Sequence, residues 1–138
     1  MRATDLNFQD IETGDVPFTM VKNPISKIQL VRYAGASGDF NPIHIDPQKG
    51  CEQIGHGMLV MGFMGEAITN WTGKKYLRKF SARFTGMTYP GDVITVTGTV
   101  IEKKQDGAQI LMRCHITARN QKDELIAAGS FEIGMPDR

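Results

Sequence analysis

Residues 56–68 read HGMLVMGFMGEAI and are apolar on almost every face of a helix. A helix with so little polar surface is expected to be buried on most of its faces. Glu66 is its one charged residue, and we expect it at an exposed flank or a subunit edge rather than at a catalytic position. Gly62, Gly65 and Ala67 are small enough to let a sheet approach the helix closely, which would offset the cost of glycine inside a helix.

The residues that follow this helix alternate between apolar and polar with the period of two that is typical of strands. The first series covers residues 80–84 and is followed by a Pro-Gly turn at 90–91. An Asp-Gly hairpin turn is predicted at 106–107, and the last alternating run covers residues 125–133. A long buried helix followed by antiparallel strands predicts one α+β domain over residues 1–138, with a curved sheet around the helix.

A second helix is predicted upstream of the buried one. The N-terminal arm should contain a short strand around Phe18–Val21. Ser26 and Gln29 have the spacing of a capping box, so a helix should begin there. It should end near Ala34, because two glycines and Pro42 follow.

The segment between the two helices, residues 33–47 (YAGASGDFNPIHIDP), contains the residue types of acid–base catalysis. Asp39 and His44 are five positions apart, and the proline between them favours an extended Asn41, so the two side chains can converge across a turn. Gly57 should open the buried helix. The first amides of a helix are unpaired and lie at the positive end of its dipole, which suits a developing oxyanion.

The pattern Tyr-x3-Ser-Gly-Asp-x-Asn-Pro-x-His-x-Asp-Pro, with His-Gly-Met-Leu downstream, resembles that of the MaoC-like (R)-specific enoyl-CoA hydratases and 3-hydroxyacyl dehydratases. The resemblance is specific over residues 33–47 and 56–65, and it implies a single hot-dog domain. It implies that Asp39 and His44 are the catalytic pair and that the Gly57 N–H binds a thioester carbonyl oxygen. The implied enzyme is a hydro-lyase without a cofactor, which reversibly hydrates 2-enoyl thioesters of coenzyme A or acyl-carrier protein to (R)-3-hydroxyacyl thioesters.

The resemblance also implies supporting positions around this pair. Ser37 belongs to the same motif, and Asn41 would brace the catalytic segment. His56 is expected to donate to a backbone carbonyl at the helix start rather than to transfer a proton. The residues expected to bind the substrate all lie on the buried helix: Met58, Phe63 and Gly65.

Several polar groups have alternative roles to consider. His44, Asp46 and His56 could be imagined as metal ligands, but no His-x-x-x-His pair or thiolate cluster accompanies them, so no metal site is predicted. The basic residues within 74–79 are more typical of solvated surface than of a contact for phosphates or for an acidic carrier protein. His115 is expected on the exposed face of a strand.

The link between Asp46 and His56 is nine residues long, polar and glycine-containing. Relatives in the resembled family have a longer, partly apolar segment there that helps to wall the acyl pocket. We therefore expect an exposed, mobile loop and a less enclosed pocket, whose lining depends on Met58, Phe63 and a neighbouring subunit.

The composition excludes several classes of partner. A formal net charge of +1 with both signs spread along the chain does not fit a nucleic-acid binder. No apolar run reaches the roughly 20 residues of a membrane helix, so no membrane partner is expected. Cys51 and Cys114 are isolated, which fits a reducing, cytoplasmic location and gives no sign of a nucleophile.

The open sheet edges and the resemblance together predict a homodimer or a dimer of dimers, with the active site near the subunit boundary. Two alternative functions remain open from the residues alone. One is a noncatalytic hot-dog subunit that completes a heteromeric dehydratase. The other is a hot-dog acyl-CoA thioesterase that uses the same oxyanion amide.

Overall fold

The fold is taken from a computed structural model, which describes residues 8–46 and 52–136. Within those ranges two short 3-10 turns, Phe8–Asp10 and Lys74–Tyr76, accompany three α-helices and five strands. In chain order these elements are β1 (Phe18–Val21), α1 (Lys27–Ser37), α2 (Pro42–Ile45), α3 (Gly57–Thr72), β2 (Leu77–Phe84), β3 (Thr95–Asp106), β4 (Gln109–Arg119) and β5 (Leu125–Pro136).

The strands form one antiparallel sheet in the order β1-β3-β4-β5-β2, which leaves β1 and β2 at its edges. The hairpin between β3 and β4 turns at Gly107, whose φ of 59° is left-handed, as the Asp-Gly pair predicts. Along β4, buried and more exposed residues alternate from Ile110 to Ala118. The predicted α+β architecture is therefore confirmed for the part of the chain that the structure describes.

Helix α3 lies against the buried face of this sheet and contacts β1, β2, β3 and β4. Its buried residues recur on one broad face: Leu59, Val60, Phe63, Met64, Ala67, Ile68, Trp71 and Thr72. The opposite side, which includes Met58 and Gly62, is exposed. The expectation that most faces of this helix are buried is thus wrong for the single chain, because one sheet covers only one side of a helix.

Helix α1 begins as predicted, since the Ser26 Oγ accepts a hydrogen bond from the Gln29 N–H at 3.0 Å. It ends three residues later than predicted. Gly35 continues the helix, and the stop is Gly38, whose φ of 76° is left-handed and whose N–H donates to the Ala34 carbonyl at 2.9 Å. A glycine inside a helix costs only about 1 kcal/mol, so Gly35 alone does not end it.

The small residues of α3 differ in what they contact. A Cβ at Gly65 would meet the Phe80 ring at 3.8 Å, but a Cβ at Gly62 would meet nothing within 4 Å. The expectation of close packing therefore fails at Gly62. Glu66 is exposed as expected and forms an ion pair with Lys22 at 3.0 Å.

Cys114 is the one free cysteine among the described residues, and it is buried on β4. Burial raises the pKa of its thiol to about 12. It therefore stays protonated at neutral pH and is not a nucleophile. Cys51 lies outside the described residues, and none of the helices that are described is long and apolar enough to cross a membrane.

Gly62→Ala should stabilise the protein by about 0.5–1 kcal/mol, because a methyl group there meets open space and alanine loses less backbone entropy in a helix. Gly129→Ala is the contrasting variant and should lower the free energy of unfolding, since its Cβ would overlap the Ser81 carbonyl oxygen and lie 2.8 Å from the Ala82 Cα. Urea unfolding measures both changes. Lower stability of Gly62→Ala than of the wild type would show that this position is not open.

Candidate active site

The candidate site begins where α1 ends. Asn41 is not helical, with φ −53° and ψ 129°, and its side-chain oxygen accepts the Ile43 N–H at 3.2 Å. An asparagine cap followed by Pro42 at the first helical position forms the single-turn helix α2, which is not predicted from the sequence. His44 therefore lies on a short helix rather than on an irregular loop.

Asp39 is held by its two predicted supporting neighbours. Its main-chain N–H donates to the Ser37 Oγ at 3.2 Å, and its Oδ1 accepts the Asn41 main-chain N–H at 3.3 Å. The other carboxylate oxygen, Oδ2, points toward His44, and 53% of the side chain is exposed. The carboxylate is thus fixed at one oxygen and open at the other.

His44 is buried, and a main-chain carbonyl orients its ring. Its Nδ1 lies 2.9 Å from the Ile54 carbonyl oxygen. Because a carbonyl only accepts, Nδ1 carries the proton, and in the neutral ring Nε2 has a free lone pair. The Nε2 lies 3.6 Å from the Asp39 Oδ2, too far for a direct hydrogen bond. The gap between two acceptors suits a small molecule that donates to both.

His56 is 2% exposed and contacts both members of this pair. Its Nε2 lies 3.1 Å from the Asp39 carbonyl oxygen. Its ring stacks on His44 with centroids 3.8 Å apart, and the Tyr33 ring meets it edge-on with centroids 4.7 Å apart. The predicted donation to a backbone carbonyl is present, but the acceptor is the carbonyl of Asp39 rather than one at the start of α3.

The last three residues of the link before His56 are half-buried and hydrogen-bonded to the rest of the structure. The Ile54 N–H donates to the Ile43 carbonyl at 2.9 Å, and the Gln53 side-chain amide donates to the His44 carbonyl. The Gly55 N–H donates to the Thr88 carbonyl at 2.7 Å. The expectation of a mobile loop is wrong here, because the buried His44 ring needs an acceptor and the link supplies it. Residues 47–51 of the link lie outside the described part.

A Cβ on Gly55 would overlap the Thr88 hydroxyl and lie 3.3 Å from the Thr88 Cβ. Thr88 is itself buried. Glycine is therefore needed for this close approach, which fixes the main chain that presents the Ile54 carbonyl to His44.

Gly57 is the first residue of α3, as predicted, and it is exposed. Its amide belongs to the first turn, where N–H groups have no intrahelical acceptor. The Phe84 ring lies 3.4 Å from the position a Cβ would take on Gly57. Phe84 ends the edge strand β2, and the sequence does not assign it to the site, because alternation along a strand does not show which helix end it meets.

The predicted substrate-binding residues occupy different surroundings. Met58 is 57% exposed beside Gly57. Phe63 is part of the core, and the Lys22 Nζ lies 5.2 Å from its ring centroid. Gly65 lies next to Phe80. Their roles in binding, and the weakly enclosed pocket, stay predictions.

A metal site is disfavoured by the geometry of the two histidines. Asp39, His44 and His56 each offer a ligand atom within 4.8 Å of the others, whereas Asp46 is not part of this group. The two rings are stacked with 24° between their planes. An ion in the plane of one ring would lie well outside the plane of the other, so their lone pairs do not converge on it.

The basic run and His115 are surface features. Lys74, Lys75, Arg78 and Lys79 are all exposed, and the Arg78 Nη1 donates to the Lys75 carbonyl at 2.9 Å. They follow the C-terminal end of α3, about 24 Å along the helix from Gly57. His115 is exposed on β4.

Comparison with known proteins identifies the family. The family model of the MaoC-like domain matches residues 8–121. The chain is 30% identical over 119 residues to the peroxisomal hydratase-dehydrogenase-epimerase of Saccharomyces cerevisiae, covering 83% of this chain and 12% of that protein. It is 34% identical over 88 residues to a probable enoyl-CoA hydratase 2 of Dictyostelium discoideum, covering 56% and 29% of the two chains.

Solved structures show the same fold. The unliganded R-hydratase PhaJ1 from Pseudomonas aeruginosa aligns with a TM-score of 0.77 at 27% identity, over 94% of this chain and 85% of that one. An (R)-hydratase from A. caviae aligns with a TM-score of 0.79 at 22% identity, over 93% and 99%. The chain spans only 3 to 12% of the length of three curated relatives it matches. The extent of the family match and the shared hot-dog fold establish that this chain belongs to the MaoC-like domain family.

Proposed function

We propose that this chain catalyses the reversible hydration of 2-enoyl thioesters to (R)-3-hydroxyacyl thioesters. The observation that carries the proposal is the 3.6 Å separation of the His44 Nε2 and the Asp39 Oδ2, at the same end of the fold as the first amide of α3. Relatives named as hydratases support it, as do solved structures of (R)-hydratases. The acyl group is carried by coenzyme A or by an acyl-carrier protein.

In the proposed mechanism Asp39 and His44 bracket one water molecule. The free oxygen of the carboxylate and the lone pair of the imidazole each accept one hydrogen of that water. Asp39 is the principal base, and its other oxygen remains bound to the Asn41 N–H while the proton is taken. His44 orients the water and shuttles the proton, since its ring is held by the Ile54 carbonyl.

The Gly57 N–H completes the proposed site. As the water oxygen bonds to C3, the C2=C3 π bond breaks and negative charge moves to the thioester oxygen. An amide in the first turn of α3 stabilises that charge through its hydrogen bond and the helix dipole. The proton taken from water then returns to C2. Because one pair of residues handles both transfers, hydroxyl and hydrogen add to the same face of the substrate.

Incubation of the purified protein with a short 2-enoyl-CoA tests this function against the two alternatives. Loss of the enone absorbance without release of thiol supports the hydratase. Release of thiol would identify a thioesterase, and binding without either reaction would identify a noncatalytic subunit. The presence of both Asp39 and His44, with the Oδ2 and Nε2 atoms 3.6 Å apart, favours the hydratase over the noncatalytic subunit.

We also propose a homodimer or a dimer of dimers. Strand β2 is an edge strand, so one side of its main chain lacks a partner strand. Exposed large apolar residues lie on the segments that surround the site: Phe40, Ile43, Met58, Phe84 and Met87. A second subunit would cover these residues. Assembly with a different hot-dog chain is the alternative, since one solved neighbour is the ChsH1-ChsH2 complex from Mycobacterium tuberculosis.

The proposed location is the cytoplasm, where the isolated cysteines would stay reduced. Two of the curated relatives are named as peroxisomal proteins, so the peroxisome is the alternative.

Asp39→Asn should lower kcat by about 10² to 10⁴-fold, because the amide keeps the shape of the carboxylate but cannot take a proton. His44→Gln should have an effect of the same order. His115→Gln is the matched control, since His115 is exposed on β4 away from the pair. Stopped-flow or steady-state hydration rates give the ratios, and circular dichroism checks the fold. A folded Asp39→Asn variant that keeps most of its activity would contradict the role of Asp39.

Light scattering at micromolar concentration should give a mass of at least twice the 15.3 kDa of one chain, because the exposed apolar residues around the site should be buried against a second subunit. Phe84→Ser should shift the protein toward monomer. A wild-type monomer with full hydratase activity would contradict the proposed assembly.

A further inference from the structure

His56 touches both proposed catalytic residues with two different parts of its side chain. The Nε2 lies 3.1 Å from the carbonyl oxygen of Asp39, and the face of the ring lies on the face of His44 at 3.8 Å between centroids. The Tyr33 ring meets His56 edge-on, with 70° between the ring planes. The imidazole is thus confined on several sides and cannot turn without moving the catalytic pair.

The protonation of this ring follows from its acceptor. The Asp39 carbonyl oxygen only accepts, so the His56 Nε2 carries the proton. The neutral ring then has a lone pair at Nδ1, and that atom is buried without a hydrogen-bond partner among the described residues. An unpaired buried polar atom is costly, so its presence calls for an explanation.

A purely structural role does not explain this histidine. His56 occupies the N-cap position of α3, but its side chain makes no capping hydrogen bond. An apolar ring would fill the same space without leaving Nδ1 unpaired. The feature that requires an imidazole is the Nε2–H donated to Asp39.

We infer that His56 is a positioning residue for the hydration proposed above, on which this inference rests. The Nε2–H of His56 donates to the main-chain carbonyl of Asp39 and fixes the backbone of that residue. The stacked ring of His56 sets the plane of the His44 imidazole. Together these contacts maintain the separation between the His44 Nε2 and the Asp39 Oδ2. His56 itself transfers no proton and contacts no substrate.

Two substitutions separate this role from packing. In His56→Gln the side-chain amide reaches about as far as Nε2 and can still donate to the Asp39 carbonyl. In His56→Asn the amide is one carbon shorter and cannot. A misplacement of about 1 Å can cost about 10²-fold in rate, so His56→Asn should lose about that much in kcat with KM nearly unchanged. His56→Gln should recover at least tenfold of the loss.

Thermal stability provides the control measurement. Both variants lose the ring stack, and His56→Asn also loses the hydrogen bond to the Asp39 carbonyl, so its melting temperature should be the lower of the two. Ser26→Ala removes the cap of α1 and should lower the melting temperature while leaving kcat unchanged at 25 °C. Equal kcat values for the Gln and Asn variants, or a kcat loss that follows the melting temperature across all three variants, would overturn the positioning role.

A second experiment does not depend on activity. The protein has three histidines, so ¹⁵N chemical shifts of the ring nitrogens can be assigned by substituting each in turn. We expect the proton on Nε2 in His56 and on Nδ1 in neutral His44. A wild type that does not hydrate enoyl thioesters would contradict the proposed function. A wild type that does hydrate them, with its His56 proton on Nδ1, would contradict only the inference about His56.

Discussion

Two main-chain carbonyls determine how the imidazoles of the site are protonated, and the proposed chemistry depends on them. The carbonyl of Ile54 keeps the proton of neutral His44 on Nδ1, and the carbonyl of Asp39 keeps that of His56 on Nε2. The His44 lone pair therefore faces the Asp39 carboxylate across a gap instead of forming a direct hydrogen bond. Without these acceptors both rings could turn or change tautomer, and the gap would not be maintained.

The fold supplies these carbonyls at the place where three elements meet. Helix α1 ends at Gly38, and Asp39 follows directly. His44 lies on the single turn α2, against the link that follows it. The end of that link, Ile54 and Gly55, is fixed by main-chain hydrogen bonds to Ile43 and Thr88, and it leads directly into α3. The same few residues thus position the proposed acid–base pair and the first amide of α3.

The sequence predicts the parts of this structure that depend on residue type. Apolar periodicity identifies the strands and α3, and the Ser26 cap lies at the predicted position. Asp39, His44 and Gly57 come to one end of the domain, with Ser37 and Asn41 in contact with Asp39. The resemblance to a known family, rather than periodicity, identifies this α+β domain as a hot-dog fold and assigns its site residues.

Other features could not be predicted, because main-chain carbonyls have no residue-specific signal. The contacts of Ile54 and Asp39 with the histidine rings are of this kind. From the sequence alone, a polar link is therefore expected to be mobile.

In the proposed mechanism, one water held between Asp39 and His44 adds to a single face of the substrate. Hydration of a trans-2-enoyl thioester in D₂O, followed by NMR analysis of C2 and C3, tests it most directly. The proposed mechanism predicts the relative configuration of syn addition with an (R)-3-hydroxyl group, and anti or mixed addition would contradict it.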